Sequence, residues 1–537
     1  MNELNAAQSL REIDKLKLSD NRAYYRQSIP IMRELYDRGC YNDCVSYIEK
    51  IAQFCWWNFP SVYYSLEMET LLAEIGKKLT SFNPELIKPN SCKKERKILH
   101  ICSEVYTTGG HTKLLYNWVQ NDVTSQHTIL STRMDMSAIN AVSKRYLGQE
   151  IAKHVCLPQE DHLRRAQALK DQLYENYDLV VLHIHPDDSL CNLVFSDPKI
   201  TIQIAFVNHA DHVFWLGSTI STILVQLRKP FLILDVERRQ IEKSFYIPLP
   251  IVEAPLTAPT EQDSFSTTQA DEVVILCIGS EVKFEPNEKY NFYEECIRIV
   301  EKHKNVRIKL IGVSKEGKYA IKHQHERIDY LGLLDYEDLE KYRSSCDIYL
   351  EGFPMPSFTA TLETVFFKKP AILHYNPTPI FQQFMDSDIG FQYPSNLNEW
   401  RLAVDRVILD KDYRDYLAEI QYGFVIHNYS MNAWRTKLQL FYKDFLSLTP
   451  ICKSFVQNEY NGDNEIALVK LSNTTIDHLY LTDKLSFSSK IKMVFFQSPV
   501  IKKKTSKTPI SRKISYFTPS FIKNFIKNVV GLISKPT

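Results

Sequence analysis

Residues 347–373, DIYLEGFPMPSFTATLETVFFKKPAIL, read as strand, Pro-bounded loop, helix and second strand, and this unit decides how the rest of the chain is read. A helix opening amid Ser357, Thr359 and Thr361 presents backbone N–H groups without intrahelical partners, the positive end of its dipole and several hydroxyls. Together these suit a diphosphate. Glu363 falls about one turn further in, within reach of a ribose diol beside that diphosphate. Nucleotide-sugar binding needs such a pairing.

Working outward, two stretches alternate strand and helix. The first has KILHICS (97–103), a helix at 111–120, HTILS (127–131), a helix at 161–175, LVVLHIH (179–185), ITIQIAFV (200–207), TILVQL (222–227), FLILD (231–235) and SFYIPLP (244–250). FLILD, a short continuous apolar run, reads as a strand. The second begins at Glu272 with EVVILCIGS, then a helix at 290–302, VRIKLIGV, IDYLG, a helix at 336–344 and the unit quoted above; helices from 397 to 445 close it. Runs of Ile, Val and Leu separated by amphipathic helices specify buried parallel sheets. The expected fold class is α/β, with two Rossmann-like domains whose loop ends meet across a cleft.

Residues 1–95 form an α-helical region and 96–249 the first Rossmann-like domain. A linker rich in Pro, Ser and Thr covers 250–271, the second domain covers 272–450, and an extension with a basic tail covers 451–537. In the helical region, Trp56, Trp57 and Phe59 read as packing between helices, with a docking surface as the alternative.

Composition narrows the function classes. Apolar residues make up 44% and charged residues 24%, an ordinary globular balance. The first twenty residues have no apolar core, and no run reaches the ~18 apolar residues of a membrane span, so a cytoplasmic protein is expected. The 11 cysteines show no paired spacing and predict reduced thiols. The net charge of +1 hides an asymmetry: the twelve Lys and Arg of 484–537 face no Asp or Glu, which leaves −11 for the rest. Within that tail, FIKNFIKNVVGLISK (521–535) reads as an amphipathic helix attracted to an anionic membrane surface on the inner face. The acidic body argues against nucleic acid as a partner.

The second-domain segments GSEVKF (279–284), YLGLLDYEDLEKYRSSCDIYLEGFP (330–354) and SFTATLETVFFKKPAIL (357–373) resemble the donor domain of GT-B glycosyltransferases. ILHICSEVYTTGGHTKLLYNWV (98–119) and IAFVNHADHVFWLG (204–217) resemble bacterial members related to glycosyltransferase families 1 and 4; the likeness covers about 97–445. The chain departs from the spaced glutamate pair of retaining members, since Met355 stands eight residues before Glu363 and Glu351 twelve.

The resemblance implies a metal-independent hexosyltransferase that uses a nucleotide-sugar donor, with UDP favoured, and a surface-glycan, glycolipid or protein acceptor in polysaccharide biosynthesis. No cofactor is expected beyond that co-substrate. Lys283 and the helix opening of Ser357, Thr359 and Thr361 would hold the diphosphate and Glu363 the ribose. Gly109, Gly110 and His111 would approach the donor from the first domain. Base catalysis by a histidine would fall to His209, with Asp211 and His212 as the other candidates. Three alternatives stand beside this reading: a non-catalytic accessory subunit, a nucleotide-sugar epimerase, and a metal-dependent hydrolase built on HxH and HxxH pairs. Asp386, Ser387 and Asp388 form a DxD-like tripeptide expected in a solvated turn.

Overall fold

Ile-, Val- and Leu-rich runs become the strands, and the amphipathic stretches between them become crossover helices. The computed structural model describes residues 2–87, 95–106, 110–147, 152–241, 243–251, 271–287, 289–445 and 455–470. The sequence-expected Gly109, most of the linker and the basic tail lie outside the described residues. The chain divides into two compact units, Met1–Val225 with Leu234–Phe245 and Leu448–Thr537, and Gln226–Ile233 with Tyr246–Ser447.

The first unit opens with helices α1 (Asn2–Asp37), α2 (Tyr41–Trp57) and α3 (Leu66–Gly76). There follow β1 (Arg96–Cys102), α4 (Gly110–Asn121), β2 (Ser125–Ser131), α5 (Met136–Leu147), β3 (Lys153–Cys156), α6 (His162–Gln172), β4 (Leu179–His183), α7 (Leu190–Phe195), β5 (Gln203–Asn208), β6 (Ile223–Gln226), α8 (Phe231–Arg239) and β7 (Ser244–Tyr246). The seven strands lie in the order β3-β2-β1-β4-β5-β6-β7, and the pairs from β3 to β5 are parallel. The opening helices share the core of this sheet: Met68, Leu72 and Ile75 of α3 cluster with Leu190, Val194 and Phe206. Buried Glu69 bolts them down, accepting from the backbone N–H groups of Gly217 (3.0 Å), Ser218 (3.2 Å) and Thr219 (2.7 Å). Gly217 has φ +123°, which only glycine adopts without strain.

FLILD is helical, against the sequence expectation. It forms the start of α8 directly after Pro230, whose fixed φ suits the entry to a helix and whose missing N–H costs nothing there. Helix α5 and strand β3 were not anticipated either, because β3 is only four residues long and half-buried.

The second unit contains β8 (Val273–Ile278), α9 (Phe292–Lys302), β9 (Val306–Ile311), α10 (Lys318–Lys322), β10 (Ile328–Gly332), α11 (Tyr336–Ser345), β11 (Ile348–Leu350), α12 (Phe358–Val365) and β12 (Ala371–Ile372). Helices α13 (Leu397–Leu409), α14 (Lys411–Tyr429) and α15 (Met431–Phe445) complete it. Its five strands run parallel in the order β10-β9-β8-β11-β12. Both sheets therefore reverse direction of growth at their first strand, as doubly wound Rossmann-like sheets do. The Asp386–Asp388 tripeptide is not solvated throughout: Asp388 is buried and accepts from Lys229 Nζ at 2.6 Å and the Met385 N–H at 3.0 Å.

A row of imidazoles crosses the first sheet. His183 Nε2 lies 3.2 Å from His100 Nδ1, His100 Nε2 lies 3.0 Å from His127 Nδ1, and His127 Nε2 lies 2.9 Å from the Asp122 carbonyl. Burial holds His100 and His183 well below the usual histidine range, so both are neutral in the folded chain. The unfolded chain binds protons below about pH 6.5 where the folded chain does not, so stability is full above that pH and declines below it. Each of the two rings is expected to cost about 2 kcal/mol at pH 5 relative to pH 7. Hydrogen exchange of peptides from β1 and β4 at pH 7, 6 and 5, corrected for intrinsic rates, measures this; unchanged protection at pH 5 would refute it.

Candidate functional site

In a doubly wound sheet, ligands bind outside the carboxyl ends of the strands where the strand order reverses. In the second unit that point lies between β8 and β11. After β8 the chain makes a short turn, Glu281–Phe284, and Phe284 is fully buried. A Cβ on Gly279 would meet the Phe284 ring at 2.5 Å and Ser357 Oγ at 2.9 Å, and one on Gly352 would meet the same ring at 2.1 Å. Phe284 thus wedges two loops together, which only glycine permits. The wedge brings Lys283 to the opening of α12: Lys283 Nζ donates to Ser357 Oγ at 3.1 Å and lies 3.4 Å from the Pro356 carbonyl. Ser357 occupies the N-cap position without a side-chain cap bond, so the first-turn N–H groups of α12 have neither intrahelical partners nor that hydroxyl. Burial lowers the Lys283 pKa while Glu351 opposes the shift.

The other residues expected at this helix divide among its faces. Thr359 is exposed. Thr361 is fully buried and its hydroxyl lies 3.3 Å from both Glu351 Oε1 and the Ser357 carbonyl. Glu363 is partly exposed, with one oxygen hydrogen-bonded to the buried Arg343 guanidinium. Glu351 is a member of this site that the sequence reading did not include. Fully buried at the end of β11, it accepts from the His374 N–H at 3.1 Å, and burial pushes it up to about 7 despite those donors and Lys283. His374 Nδ1 donates to the Tyr375 carbonyl at 2.9 Å, its buried Nε2 has no partner, and burial holds the ring down to about 3.

In the first unit the reversal lies between β1 and β4. Gly110 opens α4, and a Cβ there would meet nothing within 4 Å. His111 follows it, and its ring hydrogen-bonds to the His183 carbonyl. Because Nε2 is buried without a partner, that bond uses Nδ1–H, which leaves the Nε2 lone pair free. The ring centroid of His111 lies 5.0 Å from that of His209 and 5.7 Å from that of His185. His209 contacts the Val207 carbonyl through Nδ1 at 3.2 Å. Burial first, then the neighbouring imidazoles, hold His111 down to about 4 and His209 to about 3. The structure thus brings His111, His185 and His209 together. Asp211 and His212 form their own pair, with His212 Nδ1 3.1 Å from Asp211 Oδ1. Near His185, Asp188 accepts from Ser103 Oγ at 2.6 Å, and Asp187 pairs with Arg133 at 3.2 Å.

Among the described residues, no group of three or more His, Cys, Asp and Glu is arranged to hold a metal ion, and no helix is long and apolar enough to cross a membrane.

No family model and no curated protein matches the chain. Its fold neighbours include GT-B glycosyltransferases and a putative UDP-N-acetylglucosamine 2-epimerase from Listeria monocytogenes, the latter at 13% identity and a TM-score of 0.40 over 65% of this chain and 96% of that one. Anabaena Alr3699/HepE in complex with UDP shares 12% identity at a TM-score of 0.49, over 65% of this chain and 100% of that one. A glycosyltransferase from Rickettsia africae shares 14% at a TM-score of 0.48, over 66% and 99%. The Thermobaculum terrenum O-GlcNAc transferase shares 12% at a TM-score of 0.47, over 80% and 82%. No side chain of this protein takes its role from them.

Glu351 makes its own pH signature. Its folded pKa of about 7 lies above the unfolded value, so ionising it penalises the folded unit and the penalty grows as pH rises from about 4.5 to 7. Relative to the parent, Glu351→Gln is expected to gain up to about 3 kcal/mol at pH 8 compared with pH 5. Denaturant melts of the two proteins at both pH values test it; a pH-independent difference would sink the assignment.

Proposed function

We propose that the protein is a glycosyltransferase that moves a sugar from a nucleotide-sugar donor, UDP-sugar favoured, to a glycan, glycolipid or protein acceptor. The observation that carries this reading is the Lys283–Ser357 contact at the opening of α12, where a cation and a set of unpartnered N–H donors converge at the strand reversal. Leaving-group departure puts negative charge on a diphosphate, and a preorganised ammonium and helix terminus stabilise that charge without a divalent ion. Glu363 keeps one oxygen for a ribose hydroxyl while Arg343 holds the other. Thr361, turned inward, would act by steadying Glu351 rather than by touching phosphate.

In the first unit, the imidazoles are neutral and so able to accept a proton, although burial makes them weaker bases than a free histidine. The acceptor oxygen would bond to the anomeric carbon as the bond from that carbon to the diphosphate breaks, its electron pair leaving with the diphosphate. The hydroxyl proton would pass to an imidazole nitrogen. His209 remains the first sequence candidate, and the free lone pair of His111 Nε2 places that residue beside it. The Asp211–His212 pair would orient this loop. Work at the inner face of a membrane, through the basic tail, belongs to the same proposal.

Calorimetry with UDP and GDP, followed by nucleotide release from a donor panel with and without acceptors, tests it. Lys283→Ala is expected to weaken nucleotide binding about tenfold, or ~1.4 kcal/mol. His209→Ala should leave that binding intact, and loss of the base should lower kcat about 10²-fold or more. Binding without turnover would favour the accessory reading, and donor isomerisation without acceptor the epimerase. Failure of both nucleotides to bind would overturn the donor site.

A further inference from the structure

Helix α2 ends in Trp56 and Trp57, and the following Phe59 is buried while Trp57 remains 51% exposed. The two indoles stack with centroids 4.8 Å apart and planes 22° from parallel, so Trp56 covers one face of Trp57 while the residue as a whole stays half exposed. The rings do not stop there. Trp56 lies 5.9 Å from His185, which stacks on Tyr106 at 6.1 Å with planes 9° apart. His185 in turn neighbours His111, and His111 neighbours His209. Tyr106 is 43% exposed, and its hydroxyl donates to Glu104 at 2.6 Å. A continuous series of rings therefore runs from solvent to the imidazoles proposed as proton acceptors, all within the first unit.

A half-exposed indole at one end of the series and a half-exposed tyrosine further along it offer flat apolar surface to a ligand. The rings are bordered by charge, with Glu104 at Tyr106 and the Arg133–Asp187 pair beside His185. A lipid chain would leave those charges facing hydrocarbon. A pyranose matches both features, since its C–H face is apolar and flat while its rim of hydroxyls seeks carboxylate and guanidinium partners.

We propose that Trp57, Trp56, Tyr106 and His185 form a subsite for a carbohydrate acceptor, whose sugar rings stack along this series and direct a terminal hydroxyl toward His111 and His209. The direction of the hydroxyl rests on the glycosyltransferase reading above; the carbohydrate subsite itself does not.

Tryptophan emission and calorimetry of the full chain against malto-, cello- and chito-tetraose are the test, with UDP titrated in parallel. At least one tetraose is expected to quench emission saturably. Trp57→Ala should weaken it about tenfold, while Trp57→Phe stays within about threefold, because a flat ring is retained. Tyr106→Ala should also weaken it, and UDP affinity should not change in any of the three variants. Trp57 and Tyr106 are exposed, so their loss spares the core, and unchanged UDP affinity reports intact protein. Oligosaccharide binding without UDP binding would leave the subsite standing and remove the transferase reading; UDP binding with no tetraose binding at about 10 mM would do the reverse. Equal affinity of Trp57→Ala and parent, or preferential binding of neutral lipid micelles, would overturn the subsite.

Discussion

Parallel strands impose a constraint from which the rest of this molecule follows. Each must return through a crossover, the crossover is right-handed, and its helix must cover one face of the sheet. Growing the sheet outward from its first strand in both directions sends the crossover helices of the two halves to opposite faces, and the loops at the carboxyl ends part where the direction changes. In this chain that happens twice, beside β1 and beside β8. At the first parting stand three imidazoles, and at the second a lysine and a helix opening.

Burial then does the electrostatic work. His111, His209 and His374 are held neutral and Glu351 is raised toward neutrality, in each case with burial as the largest cause. Around these groups, charges that could have been lost to water are instead tied into pairs: Lys229 with Asp388, Arg343 with Glu363, and Arg133 with Asp187. Glu69 shows the same logic in a purely architectural role, since a buried carboxylate surrounded by three N–H donors fixes the position of the loop after β5. The helices before the first strand are consequently part of that unit's core.

Much of the fold was legible because buried parallel strands need long apolar runs and crossover helices need amphipathic ones. FLILD misled because four apolar residues and an aspartate carry no period that separates strand from helix, and Pro230 was the sign that a helix begins. The meeting of Lys283 and Ser357 was legible from their places after a strand and before a helix. Helical geometry sorts the rest: Thr359 lies two residues from Ser357 and so turns away, while Thr361 lies four residues on and shares its inner face. Glu351 was not legible as a site member, because its character comes from burial under residues distant in sequence. The exposure of Trp57 likewise depends on what the third dimension leaves uncovered.

The row of imidazoles in the first sheet carries one last implication. A neutral ring has a single proton for two nitrogens, and the Asp122 carbonyl can only accept, so His127 must present Nε2–H to it. His127 Nδ1 is then a lone pair, which obliges His100 to donate from Nε2, and by the same reasoning His183 does so too. A single backbone oxygen thus dictates the tautomer of a ring two places away. His183 is left with its bare nitrogen at Nδ1, a polarity written into the molecule by an atom on the far side of the sheet's first strand.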